Sequence, residues 1–502
     1  MNLNWANILF LSIISILSFS TNSKSQEFIS KDNLTKQDSI YLLLDRLQLD
    51  EGKKKCYKLL QDNPSDPSPH ILLNYADFLE LFIGEEYKQF EKLSKYKNQR
   101  IKAFDKLKNN NPWKNYGKSV ILLHWAFTRI KFGEYFTAVF EVNKAFKLLN
   151  ENTKQHPKFA PNYVALGLLH TLIGSIPKTY QRMLAFVSTL EGNIAKGKQE
   201  LNSVKESKNW KVWYPHLKTE SLFFLGYIEM NLSPDRKNIT KFIKETHSIK
   251  SSSIKTFLLA NLYIKNYQND SALHILNNKK TYNKSKKFHY LNLLHGEVLL
   301  KKGNPLSKYY LNKFIIEFKG SHYLRQAKRH LAWAYLIENN KTDYLKWINE
   351  IPKNGATLID ADIQAMKEFN SQNPPNIFLL KARLAFDGGY FDNALSILHN
   401  IPNINQLSTK EQIEVIYRKA RIFQEQKKIN LAIKYFKKSL EKSQDKSWYF
   451  SGKSSLELGK LFEIKNNTQT AIYYYELCLK LDFEEYKTSI TQKAKAGLNR
   501  LK

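Results

Sequence analysis

Residues 429–440 read INLAIKYFKKSL and residues 471–479 read AIYYYELCL, and the fold follows from how these two stretches superimpose. In the first, Ile429, Ala432, Ile433, Phe436 and Leu440 are spaced three, one, three and four residues apart, which puts them on one stripe of a helix. Lys434, Lys437, Lys438 and Glu441 take the opposite face. In the second, Ala471, Ile472, Tyr475, Cys478 and Leu479 form the equivalent stripe. Each stretch follows another apolar helix with a small residue 12 positions before its alanine: Ala420 before Ala432, Gly459 before Ala471 and, one unit upstream, Ala382 before Ala394. Successive alanines stand 38 and 39 residues apart. A small residue lets two antiparallel helices approach, and a large apolar residue one turn away fills the groove beside it. Such a pair buries only one side of itself, so neighbouring pairs must stack to complete a core.

The spacing of 12 continues upstream. Ala126 and Ala138 bracket Gly133-Glu134-Tyr135, and Ala260 and Ala272 bracket Tyr267. Gly296 and Gly303 begin another pair, and a divergent one spans His322–Glu338 and Lys341–Ile351 around Ala332 and Trp333. Near the N-terminus only a second helix matches, from Glu51-Gly52 to Leu60. Two breaks interrupt the rhythm. Gly174-Ser175-Ile176-Pro177 opens an inserted helix over 174–191, which either fills the core between repeats or caps a groove. A connecting segment, 352–375, carries a short helix at Ile359–Phe369 between prolines. The expected organisation is all-α: a leader at 1–25, helical repeats over 26–215, divergent repeats over 216–351, the connection, and repeats over 376–502 ending in a capping helix.

The runs from Ala432 and Ala471 resemble the second helix of the tetratricopeptide (TPR) repeat, and Leu458-Gly459-x-x-Phe462 resembles its first. Leu379–Leu384, Phe386-Asp387-Gly388-Gly389-Tyr390 and Ala494–Leu498 are similar to runs in a group of exported bacterial TPR proteins of unestablished activity. The periods exceed the 34 residues of the standard repeat. The resemblance implies an α-solenoid with a right-handed superhelical turn, whose concave groove, lined by first helices, holds a protein or peptide without catalysis. It places Arg383, Phe386, Tyr417, Arg421, Gln424 and Lys460 in that groove. Arg383, Arg421 and Lys460 each follow the small residue of their unit directly, so three cations share one step. They either clamp an acidic segment or terminal carboxylate, or bridge acidic side chains on neighbouring helices.

The chain has 502 residues, only 18 Gly and 14 Pro, and a hydrophobic fraction of 42 %, a composition that excludes collagen-like, disordered and many-turned all-β chains. Its formal net charge is +32, from 78 basic and 46 acidic residues, and only 11 of the basic ones are Arg. Base-reading proteins depend on the bidentate Arg fork, so no specific nucleic acid is expected. Residues 376–502 carry 22 basic and 13 acidic side chains, in keeping with their share of the whole, and the charge reads as diffuse. Two meanings stay open: a solvated surface shaped by AT-rich codons, or a peripheral binder of an anionic membrane or polyanion. The loop with Lys279, Lys280, Lys284, Lys286 and Lys287, beside Tyr282 and Phe288, is the local polyanion candidate, with a plain solvated loop as its alternative.

The 12 His residues include no H-E-x-x-H motif, Cys56 and Cys478 stand alone, and no phosphate-binding or nucleophile-elbow motif occurs. No catalytic residue, metal, cofactor or small-molecule substrate is therefore expected. Both cysteines lie on apolar helix faces and read as small core residues, and Asp360 and Asp362 read as helix N-terminal caps. The apolar run Ile8–Phe19 is too short to span a bilayer and fits a signal-peptide core, although no basic residue precedes it. The expected product is exported to the periplasm or outer envelope, with an uncleaved hydrophobic N-terminus as the alternative. N-terminal sequencing of the chain from envelope fractions is expected to begin at Gln26; a start at Met1 rules out cleavage.

Overall fold

The computed structural model describes residues 31–175, 192–207, 215–232 and 236–501. The leader and nearly all of the 174–191 insertion lie outside the described residues. Within them the chain forms helices and turns and no strand. The first helices are α1 (Lys31–Asp45), α2 (Leu49–Asp62), α3 (Pro69–Gly84), α4 (Tyr87–Ser94), α5 (Tyr96–Ala103), α6 (Pro112–Lys131), α7 (Tyr135–Gln155), α8 (Pro161–Ser175) and α9 (Ile194–Glu206). Next come α10 (Pro215–Asn231), α11 (Arg236–His247), α12 (Ser253–Lys265), α13 (Asn269–Asn277), α14 (Tyr290–Lys301), α15 (Ser307–Glu317), α16 (Leu324–Leu336), α17 (Lys341–Glu350) and α18 (Asp360–Ser371). The last are α19 (Ile377–Asp387), α20 (Phe391–His399), α21 (Thr409–Glu425), α22 (Ile429–Ser443), α23 (Phe450–Ile464), α24 (Thr468–Lys480) and α25 (Lys487–Leu501). Among the described residues no helix is long and apolar enough to cross a membrane.

The spacing of 12 has a backbone cause. Seven residues after the first small position and five before the second, one residue takes a left-handed conformation: Gly133, Tyr267, Gly389, Lys427 and Asn466 all have φ between 56° and 83°. Gly303 and Asn339 stand seven residues after Gly296 and Ala332 in the same conformation, and Leu47 stands five before Gly52. In all eight hairpins the next N–H donates to the carbonyl five residues back, as in Glu134 to Arg129 (2.8 Å), Lys428 to Phe423 (2.9 Å) and Asn467 to Phe462 (2.9 Å). That bond closes a Schellman-type C-cap, satisfying a carbonyl the helix end leaves open and reversing the chain. The small residues then fall at the crossing of the two helices. N-terminal caps complete the boundaries: Ser408 and Glu411 form a reciprocal capping box on α21, and Asn376 accepts from the first turn of α19.

The chain divides into two compact units. The second comprises Gln372–Lys502 with Leu299–Pro305 and Trp333–Tyr344. In it α19/α20, α21/α22 and α23/α24 pack as antiparallel pairs, first helix beside first helix, and α25 covers the last pair with Ile490, Ala494 and Leu498. Tyr475 shows why glycine stands at two positions: a Cβ on Gly459 or on Gly497 would lie 2.5 Å from its ring. Cys478 is a buried free thiol there, as Cys56 is in the other unit.

The first unit comprises Met1–Val298, Leu306–Ala332 and Leu345–Ser371. Residues of the 216–351 stretch fall in both units, and 352–371 of the expected connection falls in this one. The expectation of an open inner wall also fails here, because the array returns on itself. Helix α1 packs on α10 and α12, Arg46 Nε donates to Ser251 O (3.2 Å) and Lys286 N to Leu47 O (2.8 Å). Helix α3 is buried nearly all round: only His70, Glu80 and Gly84 escape burial. A helix apolar on every side requires partners on every side, and the runs HILLNYADFLELFIG (70–84) and SLFFLGYIEM (221–230) carry that signal. At the α8/α9 crossing a Cβ on Gly197 would lie 2.4 Å from the Gly167 carbonyl oxygen, so the backbones themselves touch.

A β-branched residue in the left-handed region is penalised by about 1–2 kcal/mol. Gly389→Val is expected to lower stability by about that amount, whereas Lys427→Gly in the equivalent turn is expected to be neutral or stabilising. Urea midpoints of the two variants check the shared turn conformation.

Candidate functional site

Three places collect functional chemistry. The first is the face formed by α19, α21 and α23, which holds the sequence-derived groove residues. Arg383 and Arg421 each pair with a carboxylate four residues on: Arg383 Nε to Asp387 at 3.8 Å and Arg421 to Glu425 at 3.5 Å. The Arg383 guanidinium lies 5.2 Å from the Trp333 ring, and that of Arg421 lies 5.6 Å from the Phe386 ring. Lys460 meets Glu457 at 3.0 Å, as does Lys453, and Gln424 Nε2 donates to the other Glu457 oxygen at 2.9 Å. Burial opposes ionisation of Glu457, but these cations and amide outweigh it and hold its carboxyl well below the usual range. Gln424 Oε1 is buried and accepts no hydrogen bond among the described residues. Tyr417 departs from the expectation. It packs among Phe436, Tyr449 and Phe450 and is 7 % exposed, so it supports this face without lining it.

The second place is the interior of the first unit. Glu85 follows α3 in a left-handed conformation (φ 55°) that turns its side chain inward. One oxygen meets Lys131 Nζ at 2.9 Å and accepts from the Tyr290 hydroxyl. The other accepts from Ser321 N (2.9 Å) and His322 N (3.1 Å) and lies 2.7 Å from His322 Nδ1. Burial alone would raise this carboxyl; Lys131, His322 and Tyr290 overcome it and hold the group below its ordinary value. Gly320 makes room, since a Cβ there would stand 2.6 Å from the Glu85 Cβ. The buried Lys131 also donates to Phe82 O (2.6 Å) and borders a cavity of about 390 Å³ with Phe257, Tyr290, Tyr323 and Gln326.

Asp362 is a cap, but of a helix other than its own. Its oxygens accept from Tyr323 N (2.7 Å) and Gln326 N (2.9 Å), at the start of α16. Burial pushes its carboxyl up to about 6 in spite of those two donors. No group of three His, Cys, Asp or Glu side chains among the described residues is placed to hold a metal ion.

The third place is the basic loop before α14, which is docked along one edge. Gln48 Nε2 donates to Asn283 O (3.0 Å), Arg46 covers the Tyr282 ring at 4.9 Å, and Phe288 is buried against Phe257. Lys286 pairs with Glu80 at 3.5 Å and Lys287 with Glu317 at 3.7 Å. Lys279 is half-buried beside the Tyr310 ring, whereas Lys280 and Lys284 are exposed.

No protein-family model and no curated protein matches this chain. Solved structures that align with it include the TPR domain of P58(IPK), at 12 % identity and TM-score 0.22, covering 87 % of this chain and 99 % of that one. The APC/C hetero-tetramer Cut9-Hcn1 aligns at 11 % identity and TM-score 0.25, over 92 % and 96 % of the two chains. Yeast Tom70 aligns at 12 % identity and TM-score 0.23, over 94 % and 89 %. Likeness of this degree carries no functional argument, and the reading below rests on this chain's own residues.

Removing one partner of a buried ion pair leaves the other uncompensated, at a cost of about 3–5 kcal/mol. Glu85→Gln is expected to destabilise the protein by that amount, and Lys131→Met added to it to restore part of the loss. Because the folded carboxyl is depressed, its contribution is complete above the ordinary value of 4.5 and disappears as pH falls through the folded value. Chemical denaturation across that range checks both statements.

Proposed function

We propose that the protein is a non-enzymatic scaffold that holds an acidic peptide or protein segment on the α19/α21/α23 face. The supporting observation is that successive first helices of the second unit carry an exposed Arg383 and partly exposed Phe386, Arg421, Gln424 and Lys460.

The energetics favour exchange. An exposed i,i+4 pair is worth about 0.3–0.5 kcal/mol, so an incoming carboxylate displaces the exposed Asp387 from Arg383 at little cost, whereas Arg421 and Glu425 are mostly buried. Glu457 keeps Lys453 and Gln424 if Lys460 turns to a ligand, so no buried charge is stranded. The ring faces of Trp333 and Phe386 hold the guanidinium planes of Arg383 and Arg421 in place. The leader-like residues 1–25 support export, which makes the cell envelope the proposed setting.

Fluorescein-labelled acidic peptide libraries titrated against the full chain test this reading. The triple variant Arg383→Glu, Arg421→Glu, Lys460→Glu is expected to weaken the selected peptides at least about tenfold, as three charge-assisted contacts are lost, with helicity unchanged by circular dichroism. Unchanged affinity removes this face as the site.

A further inference from the structure

We propose that α15 and the loop before α14 form a docking surface for an anionic membrane, independent of the C-terminal face. Helix α15 is the second helix of its pair, and Leu311 packs against Gly296 of α14. Its opposite side is left bare. Leu306, Tyr309 and Ile316 are 59 %, 58 % and 62 % exposed. At 100° per residue these positions and Lys313 share one narrow stripe. Three large apolar side chains thus project together, with the Lys313 ammonium 5.7 Å from the Tyr309 ring.

Lysines surround that stripe. Segments 279–287 and 308–319 hold eight Lys and one carboxylate, Glu317, and Glu80 of α3 faces Lys286 at 3.5 Å. The two segments form one surface: Lys279 Nζ lies 5.9 Å from the Tyr310 ring, and Lys287 meets Glu317 at 3.7 Å. Their charges crowd each other. Burial and the neighbouring Lys313 lower Lys279, and burial together with Lys287, Lys313 and Lys319 lowers His289, with Glu317 alone opposing. Lys280, Lys284, Lys313 and Lys319 form no salt bridge among the described residues.

The occupant follows from charge and shape. Bidentate recognition of carboxylates on a protein partner uses the Arg fork, and the one Arg beside this loop, Arg46, is held over the Tyr282 ring and bonded to Ser251 O. Flexible point charges around projecting Leu, Tyr and Ile side chains match a surface of acidic headgroups, with the apolar tips entering the acyl boundary.

Flotation of the full chain with phosphatidylcholine vesicles, with and without about one third phosphatidylglycerol, tests the proposal. Binding is expected only to the anionic vesicles. Each interfacial lysine is worth about fivefold, so Lys280→Gln, Lys284→Gln, Lys313→Gln, Lys319→Gln together are expected to weaken binding about a hundredfold or more. Leu306→Ser, Tyr309→Ser, Ile316→Ser together are expected to weaken it about tenfold or more. All seven positions are at least partly exposed, and circular dichroism verifies folding. As a control, Lys434→Gln, Lys437→Gln, Lys438→Gln, Lys442→Gln on the exposed face of α22 are expected to change it less than about twofold. The proposal is overturned if wild type ignores anionic vesicles, if the control loses as much as the lysine variant, or if the serine variant binds like wild type. Binding to polyglutamate without binding to vesicles, lost in the same lysine variant, assigns the surface to an acidic protein and likewise overturns it. None of these results bears on peptide binding by the C-terminal face.

Discussion

One backbone bond recurs through the molecule, and the architecture depends on it. At the end of the first helix of each of eight hairpins a residue turns left-handed, and the next N–H returns to a carbonyl five residues back. The turn reverses the chain with a fixed phase, so positions seven before and five after it meet at the helix crossing. Side-chain size at those two positions then sets how closely the helices approach. Glycine takes the left-handed position in three hairpins; Leu47, Tyr267, Asn339, Lys427 and Asn466 take it in the others against a local preference. The closing bond and the packing it permits outweigh that preference.

Each hairpin still buries only one side, and the chain completes the burial in two ways. In the first unit α1 returns onto α10 and α12, α3 is buried nearly all round, and the would-be groove shrinks to a small cavity. Glu85 secures this arrangement by joining the end of α3 to residues 320–322 through a carboxylate with a donor at every open position. In the second unit the first helices stack side by side and end against α25; α23 is buried over most of its length, and α19 and α21 keep a partly exposed polar face.

Charge divides along the same line. Glu85, Lys131 and Asp362 are buried and hydrogen-bonded, and they hold elements together across long stretches of chain. Arg383, Arg421 and Lys460 are paired with carboxylates on their own helices. The lysines around α15 are a third kind: Lys286 and Lys287 have carboxylate partners, and Lys313 lies close enough to Lys279 to lower it. Net charge alone separates none of these, because the difference lies in what each ammonium or guanidinium faces.

Periodicity was sufficient for the repeat. The spacing of 12, the helical stripes of 429–440 and 471–479, and the reading of Cys56 and Cys478 as core residues all follow from local steric rules that act within one hairpin, and so a single sequence determined them. The all-round apolar character of 70–84 and 221–230 was equally present in the sequence as the sign of a filled interior, although a search for one-sided stripes passes over it. The return of the first unit on itself, the capping of α16 by Asp362, the burial of Tyr417 and the gathering of lysines around α15 were settled only by the tertiary structure. They join residues up to 237 positions apart, and no local periodicity encodes which distant faces will meet once every pair must find a neighbour.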